Sequence, residues 1–275
     1  MSLQLRSTFA SMVLCCGCSA LTPAVAAAQS DPAPGPWNYT ASINLFLPTV
    51  GGTSTFPAEG TPIDVTAEQI LDALKMTFMG TFGAHNGNWG VLTDLVYVDL
   101  GGSKSNSRDF TIGNGGLPVG TTADLDLDYK ATAWTIAGEY RVSSNPYVTL
   151  DILAGARLFD MRQRLRWNIS GDIGPLAPTS RAGSAELKQS VWDAIVGVKG
   201  RYVFGSDRKW AAPFYLDVGA GESASTVQAA TGFSYAFDWG EFNALYRYLK
   251  YNPKSGQALT SISFSGPQVG AVFRW

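Results

Sequence analysis

Val191-Trp192-Asp193-Ala194-Ile195-Val196-Gly197-Val198-Lys199-Gly200-Arg201-Tyr202-Val203-Phe204 is the stretch on which the fold turns. Trp192, Ala194, Val196, Val198 and Tyr202 alternate there with Asp193, Lys199 and Arg201. A period of two places the first set on one face of a β-strand and the charges on the other. The pattern recurs outward in both directions. Trp37, Tyr39, Ala41, Ile43, Leu45 and Leu47 alternate with Asn38, Thr40, Ser42 and Asn44, and Leu216 and Val218 flank Asp217. In His85-Asn86-Gly87-Asn88 the Asn-Gly pair predicts a two-residue type I′ turn. Pairing Ala84 with Trp89 then sets Phe78 and Phe82 beside Val91, Leu95 and Tyr97, while Thr77, Thr81 and Asp94 share the opposite face. Trp239-Gly240 turns a hairpin that pairs Phe237 with Phe242, and a last strand carries Val269, Ala271, Phe273 and Trp275 on one side. Strands are expected near 37–47, 75–85, 88–100, 129–143, 147–160, 188–204, 212–221, 226–238, 241–251 and 259–275, which makes about ten, with eight the alternative count.

Composition agrees with an all-β chain. Of 275 residues 45% are hydrophobic, 12% aromatic and 15% charged, against roughly 25% charged in an ordinary soluble domain. Thirty glycines argue against long helices. A net charge of −2 leaves no basic surplus for phosphate backbones, so no nucleic-acid partner is expected. Residues 1–28 read as an export signal: Arg6 is the only charge, Thr8 to Leu21 is apolar, and Ala26-Ala27-Ala28 supplies small residues for cleavage. Its removal takes away Cys15, Cys16 and Cys18, the only cysteines, so the exported chain has no disulfide. Cys18 in a lipoprotein signal is the weaker reading, because Cys15 stands where an aliphatic residue belongs. A Pro-rich lead-in, 29–36, precedes the strand region, 37–275.

No apolar run after residue 28 approaches the ~20 residues that a spanning helix needs. Greasy strand faces in an exported chain then leave one membrane solution, a closed antiparallel barrel, because hydrocarbon cannot hydrogen-bond a free strand edge. A soluble lipocalin-like barrel would point its apolar face inward; here the smaller and charged residues form the opposite face on nearly every strand and suit an interior. The connections alternate between tight turns, at 86–87, 144–146, 205–210 and 239–240, and long loops, at 48–74, 101–128 and 161–187. That is the asymmetry of short periplasmic turns and long external loops. With this pattern over 37–275 and a chain ending Phe273-Arg274-Trp275, the sequence resembles the bacterial outer-membrane β-barrels. The resemblance implies an up-and-down transmembrane barrel in the outer membrane of a Gram-negative bacterium. It also implies Phe273 and Trp275 as a signal for the barrel-insertion machinery, and lipid and lipopolysaccharide as neighbours. A monomer without cofactor or metal is expected.

Several constellations bear on function. Asp94, Glu139, Arg141, Asp151, Arg157, Asp193, Lys199, Arg201, Asp217, Arg247 and Arg274 fall on the inward face and nearly balance in sign, so a narrow lumen filled by ion pairs is expected. If Ser143 faces Tyr147, four opposite charges pair outward in a row: Lys130 with Asp160, Asp128 with Arg162, Asp126 with Arg164 and Asp124 with Arg166. The ladder fixes register; alternatively Arg162, Arg164 and Arg166 contact lipopolysaccharide phosphates, which guanidinium forks suit. Leu125, Leu127, Tyr129, Phe159, Met161, Leu165 and Trp167 gather inside near the external mouth, as a plug or as the wall of an apolar vestibule. Thr66-Ala67-Glu68-Gln69 reads as a capping box opening a short helix, with Ile70, Leu71 and Leu74 on one side, in the first external loop. The Asp124–Asp128 run is no EF-hand, since Tyr129 and Thr135 replace the required Gly and Glu. Gly101-Gly102-Ser103-Lys104-Ser105 lacks the first Gly of a phosphate loop. Barrel enzymes such as omptin proteases, lipid A deacylases and palmitoyltransferases and phospholipase A use a catalytic histidine. The single histidine here, His85, reads as a turn residue at the periplasmic end with no second carboxylate beside it, so no catalytic set is expected. Envelope structure or ligand binding is the expected role, with a narrow solute channel as the alternative.

Overall fold

The computed structural model describes residues 36–54, 61–66, 68, 72–107, 111–112, 115–116, 121–171, 181–255 and 259–275. The expected signal peptide and nearly all of the lead-in lie outside the described residues. The strands are β1 (Asn38–Phe46), β2 (Thr49–Ser54), β3 (Thr61–Val65), β4 (Leu74–Asn86), β5 (Trp89–Ser107), β6 (Thr111–Ile112) and β7 (Gly115–Gly116). They continue as β8 (Thr121–Ser144), β9 (Val148–Gly171), β10 (Arg181–Phe204), β11 (Trp210–Gly221), β12 (Ser223–Phe237), β13 (Gly240–Pro253) and β14 (Leu259–Arg274). The wall runs β1-β4-β5-β8-β9-β10-β11-β12-β13-β14 and closes where β14 pairs with β1. Ten antiparallel strands thus satisfy one another with no open edge to lipid over the closed region. Trp275 finishes the seam: its N–H and carbonyl exchange hydrogen bonds of 3.1 and 2.8 Å with Tyr39. Beyond Pro48, β2 pairs with the outer half of β14 and folds back as β3.

The faces fall as the alternation requires. Trp134, Ile152, Val196 and Phe273 are 38%, 46%, 59% and 39% exposed, on the outside of the wall. At the external end, Leu95, Trp134, Leu158 and Trp192 form one row across four strands, with the two indoles edge to face at 6.2 Å. At the other end a second aromatic girdle links Trp37, Tyr39 and Trp275, and another run joins Trp210, Tyr235, Phe237 and Trp239. On β10 the belt runs from Trp192 to Tyr202. Ten residues at about 3.3 Å each, tilted by about 40°, span about 25 Å, the height of an outer-membrane apolar band.

Three registers differ from expectation, each by two residues. The first hairpin turns on Gly87-Asn88, with Gly87 at φ +60°, and pairs Asn86 with Trp89. The β12–β13 turn is Asp238-Trp239, pairing Tyr235 with Phe242. In β8–β9, Lys130 faces Arg162, Asp128 faces Arg164, Asp126 faces Arg166, and Asp124 faces Asn168. A slip of two keeps every side chain on its face, so the hydrophobic pattern alone cannot detect it. The expected long loops are largely strand: β8, β9 and β10 each run 24 residues. Their outer ends carry charge on the outer face, which erases the polar–apolar contrast that marked the strands elsewhere. The short helix expected from Thr66 falls mostly outside the described residues, and Leu74 already belongs to β4.

Candidate functional site

The interior divides at a single step along the strands. Met79, Val96, Ala133, Phe159 and Val191 make one inward row across five strands. Two residues farther along, Thr81, Asp94, Thr135, Arg157 and Asp193 make the next. The first row belongs to an apolar layer in the outer half of the lumen, where Phe159 stacks on Tyr251 with centroids 4.2 Å apart and Phe264 approaches at 6.1 Å. Of the expected mouth cluster, Phe159 and Met161 are buried in this layer and Tyr129 packs against it. Leu127 faces Leu165 higher up and is half exposed, Trp167 is half-buried, and the side chain of Leu125 lies outside the described residues.

Below the step, ion pairs fill the wall. Arg157, 0% exposed, holds Asp217 with both terminal nitrogens and donates through Nε to Thr135 Oγ1 at 2.9 Å. Arg247 holds Asp94 at 2.5 Å, and Thr81 donates to the same carboxylate at 2.8 Å. Arg141 grips Asp151 with two hydrogen bonds of 2.8 and 3.1 Å. Lys199 lies 2.5 Å from Glu139. Asp193 accepts the Ser223 backbone N–H at 2.8 Å. Arg201, at 3.1 Å, and Arg274 both donate to one oxygen of Glu241. Every member of the expected lumen set is therefore inside, and all but Asp193 pair with another charged side chain.

Two interior residues escaped the sequence reading. Glu241 follows a turn, where local chemistry competes with the alternation, although its odd position on β13 matches that of Arg247. His85 is a correction. It is buried, its Nε2 lies 2.7 Å from Glu139, and Asp151 is 3.7 Å away, so two carboxylates stand beside it. Its parity with Thr77 and Thr81 signalled the interior, but the adjacent Asn-Gly pair drew it into the turn. The geometry depends on Gly90, which pairs with His85 on one side and Glu139 on the other. A Cβ at Gly90 would stand 2.5 Å from the imidazole Nε2, so only glycine lets the ring cross β5. His85, Glu139 and Asp151 offer ligand atoms within 4.8 Å of one another, as a metal site would. Lys199 and Arg141 already balance the two carboxylates, which disfavours a divalent ion there.

Several of these groups surround a cavity of about 300 Å³ in the half of the lumen nearer the short turns. Arg141, Lys199, Arg201, Arg247 and Arg274 line it with Asp94, Asp151 and Glu241. A pocket of about 20 Å³ lies in the apolar layer, between Phe159, Leu249 and Phe264.

Outside the wall and beyond the Trp134–Trp192 row lies a second charged surface. Lys130, Arg162 and Lys188 oppose one another directly on β8, β9 and β10. Lys130 is held by Asp99 at 2.8 Å, while Arg162, Arg164 and Lys188 share Glu186 at 3.2–3.4 Å. Arg166 bridges Asp126 and Asp128 at 3.0 and 2.9 Å, and Lys75 reaches Asp128 at 2.5 Å. The hydrogen bond from Lys75 holds the Asp128 carboxyl below the usual carboxylate range, and the one from Lys188 does the same for Glu186.

No family model matches the sequence, and no curated protein sequence matches it. Among solved structures, the outer-membrane protease OmpT of Escherichia coli aligns over 90% of this chain and 99% of its own, at 11% identity and a TM-score of 0.53. The chain has the outer-membrane β-barrel fold. Weaker likenesses include Ail, the attachment invasion locus protein of Yersinia pestis, at 14% identity over 87% of this chain and 98% of its own with a TM-score of 0.32. CarO of Acinetobacter baumannii follows at 15% identity over 86% and 97%, with a TM-score of 0.23. At such identities the likeness concerns architecture, and OmpT's proteolysis stays with OmpT. Together with the apolar belt and its girdles, the fold places the barrel in the bacterial outer membrane.

Proposed function

We propose that the protein is a non-conducting outer-membrane barrel with an envelope-structural and surface-binding role, in contact with lipopolysaccharide at its external end. One observation carries the first part: the Phe159–Tyr251–Phe264 layer crosses the lumen above the polar cavity and is packed tightly among the described residues. Planar-bilayer recording tests this, with silence expected from the purified barrel and stable unitary currents overturning it. The competing reading, a narrow channel for small or hydrophobic solutes, draws on the 300 Å³ cavity but requires a path past Phe159.

The second part rests on the outer charged surface. Like charges directly opposed across strands repel, and the row Lys130–Arg162–Lys188 places three cations side by side just above the aromatic girdle. Arg162, Arg164 and Arg166 then serve phosphate groups of the outer leaflet as well as Glu186 and Asp126. Replacing all three with Gln reduces the lipopolysaccharide that copurifies with the barrel; unchanged retention rejects the contact. Phe273 and Trp275, on the closing strand, fit recognition by the insertion machinery. A Trp275→Ser variant is expected to assemble poorly while refolding normally in detergent.

A further inference from the structure

We propose that the periplasm-facing cavity binds a small organic acid or phosphate through its oxyanion, held between Arg201 and Arg274. This goes beyond the envelope role and uses none of the residues assigned to lipopolysaccharide. The argument begins with charge. Arg247–Asp94, Arg141–Asp151 and Lys199–Glu139 are one-to-one pairs. At the mouth the count fails, because Arg201 and Arg274 converge on the same Glu241 oxygen. Each guanidinium carries five N–H donors. Among the pairs around the cavity one guanidinium's worth of charge is left over at its open end, where an entering oxyanion meets two forks at once.

A second observation is independent of that count. In the same wall, buried polar atoms have no hydrogen-bond partner among the described residues: Arg247 Nε, Gln228 Oε1, Gln268 Oε1 and His85 Nδ1. Arg247 and Gln228 are each 4% exposed. Buried polar groups of this kind are almost always paired with protein, water or ligand. Donors and acceptors both occur, which suits an acid carrying hydroxyl, amide or second acid groups rather than a bare halide. Leu92 and Leu245 supply an apolar side for a short carbon chain. A volume near 300 Å³ equals roughly ten waters at about 30 Å³ each, enough for an acid of several carbons with part of its hydration. A cation finds no such opening, since each carboxylate lining the cavity already has a guanidinium of its own.

The test is calorimetric titration of the full barrel, purified in detergent, with succinate, inorganic phosphate and neutral glycerol at fixed ionic strength in chloride. Saturable binding of succinate or of phosphate, and not of glycerol, is expected, and the arm that binds distinguishes an organic acid from a phosphate. Arg201→Gln is expected to weaken it at least tenfold. Glu241→Gln, which releases both guanidiniums from their shared acid, is expected to tighten it, and this gain keeps the test sharp if Arg201→Gln assembles poorly. The Arg162, Arg164 and Arg166 triple-Gln variant is expected to bind as the parent does. The proposal is overturned by an absence of saturable binding of either anion above chloride, by unchanged affinity in Glu241→Gln, or by loss of binding in the triple variant. None of these results bears on conduction or on lipopolysaccharide retention.

Discussion

Arg157→Met puts the interior ion-pair reading to its hardest test. Arg157 and Asp217 are both fully buried, and the guanidinium makes three side-chain hydrogen bonds, two to Asp217 and one to Thr135. Methionine nearly fills the volume, so what is lost is the compensation of the Asp217 charge. Breaking one partner of a buried pair costs about 3–5 kcal/mol, because the survivor keeps its desolvation penalty without its attraction. Asp217→Leu alone strands the guanidinium and costs a similar amount. With both replaced, no charge remains to compensate, and apolar replacement of buried pairs is often neutral or better. The double variant is therefore expected within about 1 kcal/mol of the parent, a coupling of at least about 5 kcal/mol against the sum of the single changes. Guanidinium unfolding in lipid vesicles, followed by tryptophan fluorescence and by the mobility shift of unheated barrel on gels, measures all four corners. Single variants losing under about 1 kcal/mol, or a double variant losing the full sum, refute the reasoning.

Other perturbations read the remaining parts. Phe159→Ala removes the centre of the apolar layer and is expected to lower stability by about 3–5 kcal/mol; combined with Tyr251→Ala it should give bilayer currents where the parent is silent. Val196→Arg, at mid-belt, is expected to cost about 2–4 kcal/mol in vesicles, whereas the charge in Tyr202→Arg at the girdle costs about 0–1, and equal losses would contradict the depth assignment. Gly90→Val drives the imidazole from Glu139, so the ring resonances of the single histidine should move, and an unchanged spectrum rejects the close approach. Asp128 and Glu186 have carboxyls held below their ordinary range, so their contribution is present above that range and is lost as pH falls through the depressed values. Limited proteolysis of the external ends of β8 and β9 should therefore be unchanged from pH 7 to about 5 and accelerate below about 4.

How much of this was legible follows from what a period of two can encode. Parity assigned Asp193, Lys199 and Arg201 to the lumen and Trp192 and Val196 to lipid, because each choice involves burying or exposing a whole side chain. It could not place Asp128 against Arg164 rather than Arg162, since both partners lie on the same face and exposed pairs differ little in energy. Turn chemistry should have broken that degeneracy. At Asn86-Gly87-Asn88 the glycine takes the positive φ, but it occupies the first turn position instead of the second, and the whole hairpin moves with it.

The site was less legible than the wall, for a related reason. His85 and Glu241 sit beside turns, where the sequence favours a local explanation, yet both side chains turn inward. Glu139 illustrates the difference between face and partner: parity puts it inside, but only the closed barrel brings it to His85 two strands away across Gly90 and to Lys199 on β10. The step from Met79 to Thr81, from Val96 to Asp94 and from Phe159 to Arg157 occurs in the same pair of rows on neighbouring strands. Chance substitution would scatter apolar and ionic positions along the lumen, leaving charges beside Phe159 without partners. A barrel built to pass solute would extend the polar lining to both mouths; one built only to stand would not need to leave two guanidiniums on a single acid at its open end. The proposed receptacle rests on that combination, an apolar layer above and two guanidiniums on one acid below.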